Sequence, residues 1–156
     1  MHATMIAGVM VFFLLFVLKH KRLSRLEILL VWQTTFLLYA STIFILDLNW
    51  RLLSMKRTWP EVSIEMVNQL FIVPICITWL MDATFDKRWL HKLPVFALCA
   101  LLLTTVHGLM IVQKIMTYSE HWHLVYTFGL FFLLIMIVEC VRNKYQQRLR
   151  SEVRPS

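Results

Sequence analysis

The sequence predicts an all-α protein: a polytopic bundle of transmembrane helices with five spans. Of its 156 residues, 59% are hydrophobic and 16% are charged, and the apolar residues stand in long blocks with the charges between them. Blocks of this length match the hydrocarbon thickness of a bilayer, and Lys and Arg collect at their ends. The 3 Gly and 4 Pro exclude a collagen-like or low-complexity chain.

A single membrane domain covers residues 1–156. The predicted spans, in chain order, are residues 3–18, 26–46, 64–81, 93–112 and 122–141, followed by a basic cytosolic tail at 142–156. Segment 3–18 is the shortest. We interpret it as a retained helix and not as a signal peptide, because basic residues follow it and do not precede it, and no small-residue cleavage site is present. A four-span bundle without it is the alternative.

The distribution of positive charge predicts the orientation. Twelve of the 16 Lys and Arg residues lie on one side of the five-span arrangement. The positive-inside rule places this side in the cytosol, which puts the N-terminus outside and the C-terminus inside. We therefore expect a multi-pass protein of the plasma membrane. Without the first span, the other four keep their orientation and both termini lie inside.

The net charge of +7 does not indicate nucleic-acid binding, because the basic residues cluster beside apolar blocks. Such clusters, including the tail, favour anionic lipid headgroups. The three cysteines, Cys76, Cys99 and Cys140, form no CxxC pair. Their predicted position in the cytosolic half of the spans argues against a disulfide framework.

Four polar residues are candidate ligand-binding residues on the extracytoplasmic side. Glu65 and Asn68 lie in the first outer turns of the third span, His107 lies near the outer end of the fourth, and His123 opens the fifth. An ionisable group at membrane depth is costly unless it is paired or hydrated, so each is a functional candidate.

Two interpretations of this group remain open. In the first, a carboxylate such as Glu65 and an imidazole from His107, His121 or His123 hold a cation, or two histidines hold a haem. In the second, Glu65 and His107 only satisfy each other or neighbouring helices, and His121 and His123 are interfacial anchors. The sequence identifies no metal and requires no cofactor.

Two further patterns predict local structure. Residues 48, 52, 55 and 59 recur at helical spacing, which predicts an amphipathic helix in the longest outer connection, with a loop anchored by two tryptophans as the alternative. Near the inner end of the fifth span, Arg142 follows Glu139 at i+3 and is expected to pair with it.

Several features resemble a family of small, uncharacterised multi-span membrane proteins of Bacillus-like and Clostridium-like, Gram-positive bacteria. They are the basic cluster after a short first span, Glu65 through Val73-Pro74, and the stretch from His121-Trp122 to Tyr126. The resemblance implies a four-helix or five-helix membrane protein and no established activity. The family tends to have a glutamate in the fourth span where this chain has His107, so a role of that glutamate is not carried over to His107.

No nucleophile motif, zinc-protease motif or glycine-rich phosphate loop is present. We therefore favour a non-enzymatic role. The first hypothesis is an accessory or subunit of a membrane or envelope assembly, with the bilayer and a membrane protein as partners. The alternative is a ligand-binding or transport protein that uses the extracytoplasmic cluster. Burial of His107 together with Glu65 inside the bundle would favour the alternative.

Overall fold

The computed structural model describes residues 22–55, 58–120 and 122–153, so the predicted span 3–18 and His121 lie outside the described residues. Within them, four helices are long and apolar enough to cross a membrane: Arg25–Asn49, Glu61–Ala83, Trp89–Val112 and Leu124–Leu149. The prediction of a helical protein with membrane-spanning helices is confirmed to this extent. A fifth span stays a prediction.

The four spans form a closed bundle. In chain order the elements are α1 (Arg25–Phe44), a π-helical turn (Ile45–Asn49), β1 (Leu53–Met55), α2 (Trp59–Val67), a second π-helical turn (Asn68–Ile72), α3 (Val73–Ala83), α4 (Trp89–Val112), β2 (Met116–Tyr118) and α5 (Leu124–Val153). Consecutive spans pack against each other, and α5 also packs against α1. This arrangement encloses one buried interior.

Local signals explain where the helices begin. A capping box starts α1: Ser24 Oγ accepts from Glu27 N at 3.2 Å, and Glu27 Oε2 accepts from Ser24 N at 2.8 Å. Pro74 lies in the first turn of α3, directly after the π-helical turn Asn68–Ile72. Because proline cannot donate a backbone hydrogen bond, the helix widens before it.

Pro94 lies further inside its helix than the sequence predicts. The predicted span begins at residue 93, which would leave Pro94 in the first turn. In the structure α4 begins at Trp89, so Pro94 lies in the second turn. Arg88 adopts an extended conformation and ends the preceding connection. The hydropathy pattern missed this first turn because it contains His91 and Lys92.

The predicted amphipathic helix in the longest connection is wrong. Residues Leu53–Met55 instead form β1, which pairs antiparallel with β2 so that Leu53 lies opposite Tyr118. If residues 53–55 were helical, the backbone groups of β2 would lose these hydrogen-bond partners. Strand pairing satisfies the backbone N–H and C=O groups of both segments. Leu53 is fully buried beneath the pair.

The turn before β2 has a specific geometry. Ile115 N donates to Met110 O at 3.0 Å and Lys114 N donates to Ile111 O at 2.9 Å, which is a Schellman motif that ends α4. Its left-handed position is taken by Lys114, with φ of 57°. We call the end of the bundle at which β1 and β2 pair the strand end, and the opposite end, where residues 84–88 join α3 to α4, the loop end.

Candidate functional site

The hydroxyl of Tyr39 connects three spans at the strand end. It donates to Glu65 Oε1 at 3.3 Å, accepts from Asn68 Nδ2 at 3.0 Å, and lies 3.4 Å from His107 Nδ1. Gln69 Nε2 also donates to Glu65 Oε1, at 3.1 Å. We call Tyr39, Glu65, Asn68, Gln69 and His107 the Tyr39 cluster. Tyr39, Glu65, Asn68 and His107 are all buried.

The hydrogen-bond pattern assigns the tautomer of His107. A tyrosine hydroxyl has one proton, and that of Tyr39 points to Glu65 Oε1. With that proton directed at Glu65, Nδ1 of His107 is assigned as the donor to the Tyr39 oxygen and Nε2 as the acceptor.

Aromatic rings enclose this cluster. Tyr39 stacks on Phe131 of α5 with ring centroids 5.7 Å apart, and His107 stacks on Tyr118 of β2 at 6.1 Å. All four spans therefore contribute to the same interior region. The apolar ring faces lower the polarity around the cluster, which strengthens the electrostatic interactions of the groups inside.

A second set of hydrogen bonds fixes the aromatic side chains in place. Thr127 Oγ1 accepts from Trp122 Nε1 at 3.0 Å and lies 3.0 Å from the hydroxyl of Tyr118. Burial raises the pKa of the Tyr118 hydroxyl above its ordinary value, since the phenolate would be poorly solvated here. β2 is therefore anchored to the start of α5, and its tyrosine is held against His107.

Two oxygens of the Tyr39 cluster are buried without a hydrogen-bond donor among the described residues. They are Glu65 Oε2 and Asn68 Oδ1. A buried acceptor without a donor is costly, and a carboxylate more so than a neutral group. Each of these two acceptor oxygens can be satisfied only by a hydrogen-bond donor or a positive charge.

A cavity of about 30 Å³ lies beside the cluster. Its lining includes polar groups of Tyr39, Thr42, His107, Tyr118, Trp122 and Thr127, and the remaining lining is apolar. A volume of this size holds roughly two water molecules. Glu65 and Asn68 do not line it.

The structure brings together three of the four sequence-predicted site residues. Glu65, Asn68 and His107 meet around Tyr39, whereas His123 is exposed and contacts Tyr126, with ring centroids 5.8 Å apart. In the described part of the chain, no group of three or more His, Cys, Asp or Glu side chains could hold a metal ion. The hydroxyl that links the cluster, that of Tyr39, was not predicted.

A second buried cluster lies at the loop end. Glu139 Oε1 accepts from Lys92 Nζ at 2.5 Å, from Arg142 Nη2 at 2.9 Å and from Asn143 Nδ2 at 3.4 Å. We call these residues the Glu139 cluster. The predicted Glu139–Arg142 pair is confirmed, and the guanidinium also lies 5.3 Å from the ring centroid of Phe85.

Sequence reasoning missed Lys92 as an interior residue, because it stands among other basic residues at the end of a span. The buried residues of α4 include Lys92, Phe96, Ala100, Leu103 and His107. Their spacing of three or four residues is that of one helix face. Extending this face toward the helix start is the signal that could have identified the lysine.

Comparison with protein-family models, curated proteins and solved structures gives no match to this chain. The resemblance to a bacterial membrane-protein family stays a prediction, and the function has to be inferred from the chain's own geometry.

Proposed function

We propose that this chain is a membrane-embedded binding or transport protein for a small, positively charged species, and that the Tyr39 cluster is its site. One observation carries the proposal. Among the described residues, the buried carboxylate of Glu139 has two cationic partners, whereas the buried carboxylate of Glu65 accepts from neutral side chains such as Tyr39 and Gln69 and forms no ion pair. A bound positive charge would supply the missing compensation.

The placement of the cluster supports binding over a purely structural role. Glu65 and His107 both point into the bundle interior, with exposed fractions of 3% each. They belong to different spans, and the hydroxyl of Tyr39, on a third span, contacts both of them. Interior ionisable groups that face each other at membrane depth are typical of ion and proton pathways.

We infer that the strand end faces outward. The loop end carries Lys87, Arg88 and the basic end of α5, and the positive-inside rule assigns such an end to the cytosol. The cluster would then be accessible from outside a plasma membrane. The C-terminus would be cytosolic, and the N-terminus would be outside if residues 3–18 cross the bilayer.

The test is thermal unfolding of the full-length protein in detergent. The probes are sodium, potassium, ammonium, magnesium, zinc, haem and anionic lipid, each at fixed pH, together with a pH series without added ligand. A species that binds only the folded state raises the unfolding midpoint by mass action. We expect a cation or acid to raise it in the wild type, and the rise to be lost in Glu65→Gln.

The control is Glu120→Gln, the same change at an exposed residue of the connection between β2 and α5. It should respond as the wild type does. The proposal would be contradicted if, in protein shown to be folded, neither any probe nor a change of pH shifts the unfolding midpoint.

The second candidate function is that of an accessory subunit, and the length of α5 favours it. The helix Leu124–Val153 has 30 residues, or about 45 Å, against a hydrocarbon core of about 30 Å. Its last turns therefore extend beyond the membrane, with exposed Lys144 and Arg148. This basic helix would dock on a membrane protein partner or on anionic lipid headgroups.

A cysteine introduced for the exposed Gln147 would test this second role by cross-linking in native membranes. A discrete adduct that disappears when Lys144 is changed to Glu would support docking on a partner. Lysine-independent adducts, or none, would contradict it.

A further inference from the structure

We propose that the positively charged species at the Tyr39 cluster is a proton, which Glu65 carries as a neutral carboxylic acid inside the bundle. This inference rests on the proposed function and names the ligand of the same site. It is carried by the pattern of filled and vacant hydrogen bonds and by the space around the carboxyl group.

One hydrogen on Glu65 Oε2 would give a partner both to that oxygen and to Asn68 Oδ1. Glu65 Oε1 already receives two donors, from Tyr39 and Gln69, while Glu65 Oε2 and Asn68 Oδ1 receive none from the described residues. A hydrogen on Oε2 converts that oxygen from an acceptor into a donor. Asn68 follows Glu65 at i+3 and is a neighbour on the same helix face, and we expect its Oδ1 to accept that hydrogen.

The space around the carboxyl group favours a proton over larger cations. The cavity of about 30 Å³ touches Tyr39 and His107 but not Glu65 or Asn68. A hydrated metal ion or an organic amine would need room beside Glu65 itself. A metal ion would also need more ligands than one carboxylate and one imidazole, and the described residues offer no larger set.

The cavity gives the proton a source. A hydronium ion there would become water by giving up one proton, which would reach the Glu65 carboxyl group through Tyr39 and His107, so that one O–H bond breaks for each one that forms. Tyr39 and His107 are the groups that both line the cavity and hydrogen-bond within the cluster. The reaction needs no other reactant.

The surroundings of Glu65 contain few other titratable groups. Tyr39 faces it from α1, His107 from α4, and Tyr118 of β2 stacks on His107. Phe131 of α5 is uncharged, and in its own helix Glu61 lies one turn away, with its Oε2 also buried without a donor among the described residues. No described Lys or Arg forms an ion pair with Glu65.

Infrared spectroscopy of the full-length protein in lipid vesicles tests the inference directly, because a protonated carboxyl has a C=O stretch that a carboxylate lacks. We expect this band near pH 7 in the wild type, shifted in D₂O. It should be missing from Glu65→Gln and retained in Glu120→Gln.

The pH dependence of unfolding is the second measurement. If the folded state holds a proton that the unfolded state releases, raising the pH destabilises the wild type, by up to about tenfold in the folding equilibrium per pH unit. Gln imitates the neutral acid in shape and in having a donor, so Glu65→Gln should fold and its midpoint should vary less with pH.

The outcomes separate the two proposals. If the protonated band is absent but a metal or ammonium ion raises the midpoint through Glu65, the proton is overturned and the binding site stands. If the band is absent and no cation has an effect, both proposals fail. A band that persists unchanged in Glu65→Gln belongs to another carboxyl group and also overturns the proton.

Discussion

The charges of the Glu139 cluster do not balance, and this predicts unequal effects of removing them. One carboxylate, Glu139, hydrogen-bonds to two cations, Lys92 and Arg142. Glu139→Gln keeps the shape and the accepting oxygen but removes the carboxylate that both cations hydrogen-bond to, which leaves Lys92 unpaired in the cluster and Arg142 with its electrostatic interaction with Glu27. Lys92→Met keeps most of the side-chain volume and leaves one carboxylate paired with one guanidinium.

The magnitudes follow from burial. Exposed fractions are 0% for Glu139, 1% for Arg142 and 6% for Lys92, so solvent screens none of the three. Breaking a buried ion pair by removing one partner costs about 3–5 kcal/mol, and we expect this cost for Glu139→Gln. Lys92→Met loses one hydrogen bond but relieves the excess charge, so it should change stability by no more than about 1 kcal/mol.

Reversible unfolding in mixed micelles by added dodecyl sulfate measures both free energies. Lys144→Met is the matched control, because this lysine is exposed and near the same end of the bundle. Equal losses of unfolding free energy for Lys92→Met and Glu139→Gln would refute the charge-balance reasoning. They would mean that Arg142 alone does not compensate the charge of Glu139 and that Lys92 is needed as well. In the double variant, part of the Glu139→Gln loss should be regained.

Three further predictions concern the strand end. Tyr39→Phe leaves the partners of its hydroxyl unsatisfied and should cost about 1–3 kcal/mol in the same unfolding assay, whereas a loss below about 0.5 kcal/mol would contradict the linking role. Lys114→Gly should stabilise by up to about 1 kcal/mol, because its left-handed φ is unfavourable for a residue with a Cβ; destabilisation would contradict this. Burial raises the pKa of Tyr118, so its neutral form adds stability that is lost as the pH rises through that raised pKa. The difference between the ultraviolet titration curves of the wild type and Tyr118→Phe should show that Tyr118 ionises at a higher pH than free tyrosine does. Ionisation at the same pH as free tyrosine would contradict the prediction.

The sequence predicts the helices well because bilayer-length apolar blocks have few alternatives. The same logic placed Glu65, Asn68 and His107 at one depth, since each position can be counted from a span end. It could not find Tyr39, because a tyrosine in an apolar helix has no sequence feature that distinguishes a buried hydroxyl from a packed ring. Hydrogen-bond partners on other spans are decided by helix rotation, which one sequence does not determine.

The strands escaped prediction for a different reason. Leu53–Met55 and Met116–Tyr118 have three residues each, too few for an alternating pattern to be recognised. Their pairing depends on two connections more than 60 residues apart in sequence meeting at the strand end. The helical spacing in the first connection was coincidental, since residues 53–55 are extended.

The Tyr39 cluster and the Glu139 cluster meet opposite ends of the buried face of α4, and this bears on whether the protein binds a proton or moves it. Lys92 and His107 lie on the buried face of α4, about 22 Å apart along the helix. The buried residues between them are Phe96, Ala100, Leu103 and Thr104, and the hydroxyl of Thr104 already donates to the backbone carbonyl of Ala100 in the same helix at 2.7 Å. The static bundle therefore keeps the Tyr39 cluster separated from the Glu139 cluster, and transport would require α4 to move against α5. Since the Lys92–Glu139 pair joins these two helices, Lys92→Met should speed any proton flux into vesicles while leaving the protonated band of Glu65 unchanged, whereas a protein that only binds the proton would show no flux in either form.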